Sequence, residues 1–263
     1  MKKNTIYLGI SVWMVLAGLQ IANAQTPIAN DQEPVQTKTE TISLPSSELL
    51  AKPAAEQKIE AFKAGGTLIN IPLPGTNLVE VGYDVREQME VFVPPSNRLL
   101  CGYMQPSDIP LFMKGEENFV LSQYASIQIA RQGEYQDCTI DNFNELVDYV
   151  KNSLGDELDS IIEESEDTLN SRMKSMDLTN ISIDKPVQLG TLFSKTDAYS
   201  MGMISTYSDG KKSWTLVIAT TFVRVRERLL FVYVFNTYEN EETITMVRRL
   251  AEHWADAILA ANK

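Results

Sequence analysis

Leu229 to Phe235, near the C-terminus, constrain the fold more than any other stretch, because both of their faces are apolar. At a strand's two-residue period, Leu229, Phe231, Tyr233 and Phe235 fall on one side and Leu230, Val232 and Val234 on the other. Such a strand belongs at the centre of a sheet covered on both faces. Three further runs lead into it: Val187 to Ser194, Tyr199 to Tyr207 and Trp214 to Val225. Asp209-Gly210 signals a hairpin with both turn residues at positive φ. Arg226-Glu227 marks a second tight reversal.

Asn240 follows as a helix cap, with Glu241 and Glu242 at the positive end of the helix dipole. Ile244, Val247, Ala251, Trp254, Ala255 and Ile258 then share one helical face, which predicts packing on the sheet. Upstream, Thr67 to Leu73, Leu78 to Tyr83, Met89 to Val93, Arg98 to Met104 and Ser122 to Arg131 read as extended. In the last of these, Tyr124, Ser126, Gln128 and Ala130 alternate with Ala125, Ile127, Ile129 and Arg131, the pattern of a sheet covered on one face. Asp141 is a candidate cap for a helix with Phe143, Leu146, Val147, Val150 and Leu154 on its apolar stripe. Beyond Gly155, a second, strongly acidic helix is expected, with Leu158, Ile161, Ile162, Leu169, Met173 and Met176 on its narrow apolar face. Strands in hairpin runs with helices between and after them give an α+β fold: a mostly antiparallel sheet flanked by helices, the C-terminal helix packed on it.

The first 24 residues have the three parts of a secretory signal. Lys2 and Lys3 precede an apolar run from Ile6 to Leu19, and Ala22-Asn23-Ala24 forms the cleavage site. The run is short for a bilayer span, which needs about 20 residues, so no stable membrane insertion is expected after cleavage. Residues 25–64 are read as a flexible lead, with a short helix considered between Ser46 and Lys63, and residues 65–263 as a single α+β domain opened by Gly65-Gly66. The expected location is periplasmic or secreted.

Charge and motifs narrow the function classes. Without the leader, 21 basic residues face 35 acidic ones, a net charge of −14. That balance excludes a nucleic-acid partner, which needs a basic footprint, and admits a cationic one. His253 is the single histidine, and its place on the last helix, about 180° from Ile244, puts it toward solvent. No zinc motif, nucleophile elbow, P-loop or dinucleotide fingerprint occurs. No catalytic residue, metal ligand or cofactor is therefore assigned. Paired carboxylates stay open, because their partners come from distant parts of a chain.

Three sets of residues are candidates. Val93-Pro94-Pro95-Ser96-Asn97-Arg98 is a proline-stiffened loop in which Asn97 and Arg98 are candidate ligand-binding donors; the plainer reading is a rigid connection. Cys101 and Cys138 could pair in an oxidising compartment, or Cys101 could serve as a small hydrophobe in a strand. Glu163, Glu164 and Asp167 on the acidic helix form either a partner-binding face or a solvated one. Arg224, Arg226 and Arg228 form a basic patch beside the last hairpin, read as a solubilising edge.

The segments from Phe92 to Leu100 and from Trp254 to Asn262 resemble parts of uncharacterised exported bacterial proteins. The strand-strand-helix ending is also similar in order to the photosystem II extrinsic PsbP and Mog1 group, whose sheet is flanked by helices. That resemblance implies an architecture and transfers no site.

Three functions are compatible with these observations. The favoured one is a non-enzymatic module of the cell envelope that binds a protein partner or small ligand. The alternatives are a carboxylate-dependent hydrolase acting on a cell-wall or polysaccharide substrate, and a secreted effector or inhibitor.

Overall fold

The computed structural model describes residues 59–263 apart from 76, 91, 115–120, 153–161, 164–165, 172–173 and 175–180. The signal segment and most of the lead lie outside the described residues.

The protein has an α+β fold built on an eight-stranded antiparallel sheet. Its strands are β3 (Val79–Glu80), β4 (Asn97–Met104), β5 (Gln123–Ala130), β6 (Ser182–Ile183), β7 (Val187–Lys195), β8 (Ala198–Ser208), β9 (Ser213–Val225) and β10 (Arg228–Thr237). Their order is β3-β4-β5-β10-β9-β8-β6, with β7 also paired to β8. β1 (Ile59–Ala64) and β2 (Thr67–Pro72) form a separate hairpin. Four described helices accompany the strands: α1 (Tyr83–Glu90), α2 (Asp108–Lys114), α3 (Ile140–Asn152) and α4 (Glu241–Ala260).

β10 lies between β5 and β9, in the interior of the sheet. Leu230, Val232 and Val234 join one core with α4, while Phe231, Tyr233 and Phe235 join the other with α3. The two faces are unequal in size. Toward α4 the sheet presents Ala125, Ala198, Val217, Ala219 and Val232, and α4 answers with Ala251 and Ala255. Small side chains on both partners let α4 lie close on β9 and β10. The opposite face carries Tyr124, Tyr199, Phe222, Phe231, Tyr233 and Phe235. This aromatic layer holds α3 off, and α3 comes as near to no strand as α4 does to β9.

α4 begins as its cap predicts. Asn240 Oδ1 accepts from Glu242 N at 2.9 Å, and Thr243 Oγ1 accepts from Asn240 N at 3.4 Å. His253 is exposed on it. α3 is capped one position before its first helical residue, at Thr139, whose Oγ1 accepts from Asn142 N (3.2 Å) while Asn142 Oδ1 accepts from Thr139 N (3.2 Å). That reciprocal box wins over the expected Asp141 cap. Arg226 and Glu227 hold φ of 47° and 58°, a two-residue turn from Val225 to Arg228. At Asp209-Gly210 only Gly210 has positive φ (81°); Asp209 Oδ1 instead accepts from Lys211 N and Lys212 N, closing a longer loop.

Several local expectations change. Residues 59–63 are strand rather than helix or loose lead, because β1 pairs with β2 around the Gly65-Gly66 turn. Tyr83 to Glu90 is helical: Val81, Val85 and Met89 bury one face at four-residue spacing, which outweighs the extended reading around Met89. β5 is buried along its whole length, including Ser126 and Gln128 at 0% exposure, so it is covered on both faces. The helix expected beyond Gly155 falls mostly outside the described residues; within it, Ile162 and Leu169 are buried in the aromatic-side core.

Candidate functional site

Phe92 and Val93 leave the end of α1 through turns, Phe92 N donating to Met89 O (3.0 Å) and Val93 N to Glu90 O (3.1 Å). Pro94 and Pro95 then fix φ at two successive residues. Asn97 N donates back to Pro94 O (2.9 Å), and Arg131, just past β5, pins the loop from the other side through N to Ser96 O (2.8 Å) and Nε to Pro95 O (3.2 Å). The loop is thus stiffened by its own prolines and by two strands that continue into the central sheet.

A concavity of about 190 Å³ opens along this loop, lined by Glu87, Glu90, Val93, Pro94, Pro95, Asn97, Leu99 and Arg131. Val93, the prolines and Leu99 line it, but of these only Pro95 is exposed, so most of the surface the concavity offers is polar. Glu87 and Glu90, one turn apart on α1, stand on one wall with exposed side chains. Arg131, also exposed, stands on the rim from β5. The arrangement sets the side chains of Glu87, Glu90 and Arg131 around one mostly polar concavity.

Of the residues expected to bind there, Asn97 lines the concavity but is 1% exposed, and its Nδ2 donates to Gln128 Oε1 at 3.0 Å. Arg98 turns to the opposite side of β4. Its guanidinium grips Glu134 through Nε, which donates to Oε2 at 3.1 Å, and Nη2, which donates to Oε1 and also to Lys63 O at 2.7 Å. Arg98 thereby holds the β1–β2 hairpin to the sheet edge. The sequence reading gives residues 84–88 no element and Met89 to Val93 an extended one, which hid Glu87 and Glu90 as a wall, although the Val85–Met89 spacing was its signal.

Cys101 and Cys138 are free thiols. Cys101 is in the core beneath α4, whereas Cys138 packs against the aromatic-side core, so the sheet separates them and the pairing considered for them does not form. Burial pushes the Cys101 thiol far up and the Cys138 thiol up to about 11, which leaves both protonated and poor nucleophiles at neutral pH. Glu163 and Asp167 are exposed; Glu164 lies outside the described residues.

The three arginines beside the last hairpin work as fasteners rather than as a bare edge. Arg224 pairs with Asp197 at 2.6 Å. Arg226 donates to Asn262 O (3.2 Å) and Leu68 O (2.8 Å), and Arg228 to Gln136 O (3.1 Å) and Asp137 Oδ1 (2.5 Å). Among the described residues, no three of His, Cys, Asp and Glu gather as a metal site, and no helix is long and apolar enough to cross a membrane.

No protein-family model matches the chain, and no curated protein matches it either. Two solved structures are similar in part. One is the Saccharomyces cerevisiae Ran-binding protein Mog1p, at 9% identity and TM-score 0.27, covering 79% of this chain and 93% of that one. The other is a point mutant of protein Mog1, at 11% identity and TM-score 0.29, covering 78% of this chain and 93% of that one. The resemblance expected to exported bacterial proteins has no counterpart in these comparisons. The likeness to Mog1 assigns no site and no partner.

Proposed function

We propose that the protein is a non-catalytic binding module exported to the cell envelope, and that its concavity beside Pro94 and Pro95 takes a protein segment carrying a basic side chain. The observation that carries this reading is that Glu87, Glu90 and Arg131 line one concavity beside a proline-stiffened loop. A lysine or arginine stem would lie against the exposed Pro95, its charge toward Glu87, while Arg131 donates to a backbone carbonyl of the same segment. A loop held by its own prolines and two strands loses little freedom on binding, which favours affinity. The acidic surface of the whole chain supports a cationic partner through long-range steering.

Calorimetry with the peptide acetyl-Ala-Arg-Ala-amide tests it. The expected result is saturable binding that weakens with salt, is lost in the double variant Glu87→Gln/Glu90→Gln, and is kept in Glu163→Gln/Asp167→Gln. Equal binding by acetyl-Ala-Glu-Ala-amide, or loss only in the second variant, would overturn it; the latter result would move the contact to the acidic segment of the effector reading.

One observation favours the hydrolase reading: two carboxylates line one concavity. Both rise from the same wall, however, and paired-carboxylate cleavage needs one on each side of the scissile bond. Release of reducing ends from a cell-wall glycan, abolished in Glu87→Gln, is the result that would restore it.

A further inference from the structure

Arg131 is held by its backbone and by one guanidinium nitrogen. Its N donates to Ser96 O at 2.8 Å, and its Nε donates to Pro95 O at 3.2 Å. Its two Nη nitrogens have no bonded partner among the described residues, and Arg131 is exposed where it lines the concavity. With Nε engaged, the edge formed by Nη1 and Nη2 is the one open to a ligand. Two parallel N–H groups on such an edge match the two oxygens of a carboxylate. The charge of Arg131 also lowers the carboxyl of Glu134, but that carboxylate is already bonded to Arg98 and Gly65 N.

The acceptor of Nε is the carbonyl of Pro95, and Pro95 is the exposed apolar residue of the concavity. The guanidinium therefore stands beside the one surface on which an aliphatic stem can lie. A residue whose stem rests on Pro95 brings its own carboxyl group to Arg131. The space sets the same limit. A cavity of about 150 Å³ holds one benzene, so the 190 Å³ of this concavity takes one side chain with its own carboxyl group and little more of a chain. Glu87, exposed and without an ion pair among the described residues, is the anion for the far end of that side chain.

We propose that the bound segment ends at its basic residue: the concavity takes a C-terminal lysine or arginine of a protein partner, with its terminal carboxylate on the Nη edge of Arg131 and its side-chain cation toward Glu87. This rests on the reading of the concavity given above and turns its carbonyl contact into a charged one. An internal basic residue satisfies Glu87 but brings Arg131 only a carbonyl dipole, whereas a terminal one matches both charges. A free amino acid carries the same carboxylate, but its α-ammonium would stand beside the guanidinium, and like charges repel. An acylated residue fits better.

Calorimetry on the purified protein with three ligands tests the proposal: acetyl-Ala-Arg with a free C-terminal carboxylate, acetyl-Ala-Arg-amide, and free arginine. Hydrogen bonds to a charged acceptor are about twice as strong as those to a neutral one, so the acid should bind roughly tenfold tighter than the amide. Arg131→Gln should bring that ratio to about one by removing the fork. Arg131→Lys, which keeps the charge and loses the fork, should narrow it, and serves alone should the glutamine variant fail to fold. Glu87→Gln should weaken acid and amide by the same factor. Equal affinity of acid and amide in the parent, with the amide still weakened by Glu87→Gln, would overturn this proposal and leave the function proposed above standing. No binding of either would overturn both. An acid-to-amide ratio that stays unchanged in the Arg131 variants would also overturn it, and free arginine binding as tightly as acetyl-Ala-Arg would do so in favour of a free amino acid.

Discussion

Asn70 and Asn262 bind each other reciprocally: Asn70 N donates to Asn262 Oδ1 at 2.8 Å, and Asn262 Nδ2 donates to Asn70 O at 2.7 Å. Asn262 thus acts as a missing strand residue for β2. The same side chain caps α4 through Ile258 O at 2.7 Å. Trp254 Nε1 donates to Pro72 O (2.8 Å) further along the same seam. The first hairpin is therefore fastened to the last helix across almost the whole chain. Asn262→Ala leaves the Asn70 backbone pair and the Ile258 carbonyl without these partners, and about 2–3 kcal/mol of stability should be lost. Urea unfolding should show a lower midpoint with an unchanged slope.

Gly65 is the other anchor of that hairpin. It holds φ +57°, and a Cβ there would lie 1.7 Å from Glu134 O. Gly66 also has positive φ, +88°, but open space around it. Gly65→Ala should therefore destabilise the protein clearly more than Gly66→Ala, the first by clash and strain together, the second by strain of about 1 kcal/mol. Comparison of the two Tm values checks this ordering.

Glu134 links the same turn to β4. Burial pushes its carboxyl up, but the hydrogen bonds from Arg98 and Gly65 N and the charges of Arg98 and Arg131 outweigh this and hold it below its ordinary value of 4.5. A depressed carboxyl contributes stability above its unfolded value and loses it as pH falls through the folded one. The parent should lose stability more steeply than Glu134→Gln as pH is lowered from about 6 to below 4.5. Parallel stability curves for the two proteins would remove Glu134 from this role.

Legibility in the sequence followed the strength of each local signal. β8, β9, β10 and α4 could be read because apolar alternation, a tight reversal at Arg226-Glu227 and the Asn240 cap all agree. α1 was missed because only Val85 and Met89 mark its buried face, between two segments that read as extended, and α2 because Pro110 reads as a breaker although it sits in the first turn, where proline is tolerated. β5 misled for a different reason. Its Ser126 and Gln128 look solvent-facing but are buried under the aromatic layer, a tertiary effect invisible to local periodicity. The proline loop was visible as a candidate, yet its partners came from α1 and Arg131, brought together only by the sheet.

The two thiols give a check on the compartment-independent part of the fold. With Cys101 fully buried, Cys138 raised to about 11, and the sheet between them, the native protein should react slowly with a thiol reagent at pH 7. Unfolding in denaturant without reductant should release both thiols for alkylation, adding two labels by mass. Labelling only after reduction would mean a disulfide and a different packing of β4 against α3.

The concavity itself is tested most directly by amide chemical-shift mapping of the labelled protein during titration with acetyl-Ala-Arg-Ala-amide. Saturable shifts concentrated on Glu87, Glu90, Leu99 and Arg131 are the predicted result. Saturable shifts centred elsewhere, such as on Glu163 and Asp167, or no shifts at all, would contradict the account.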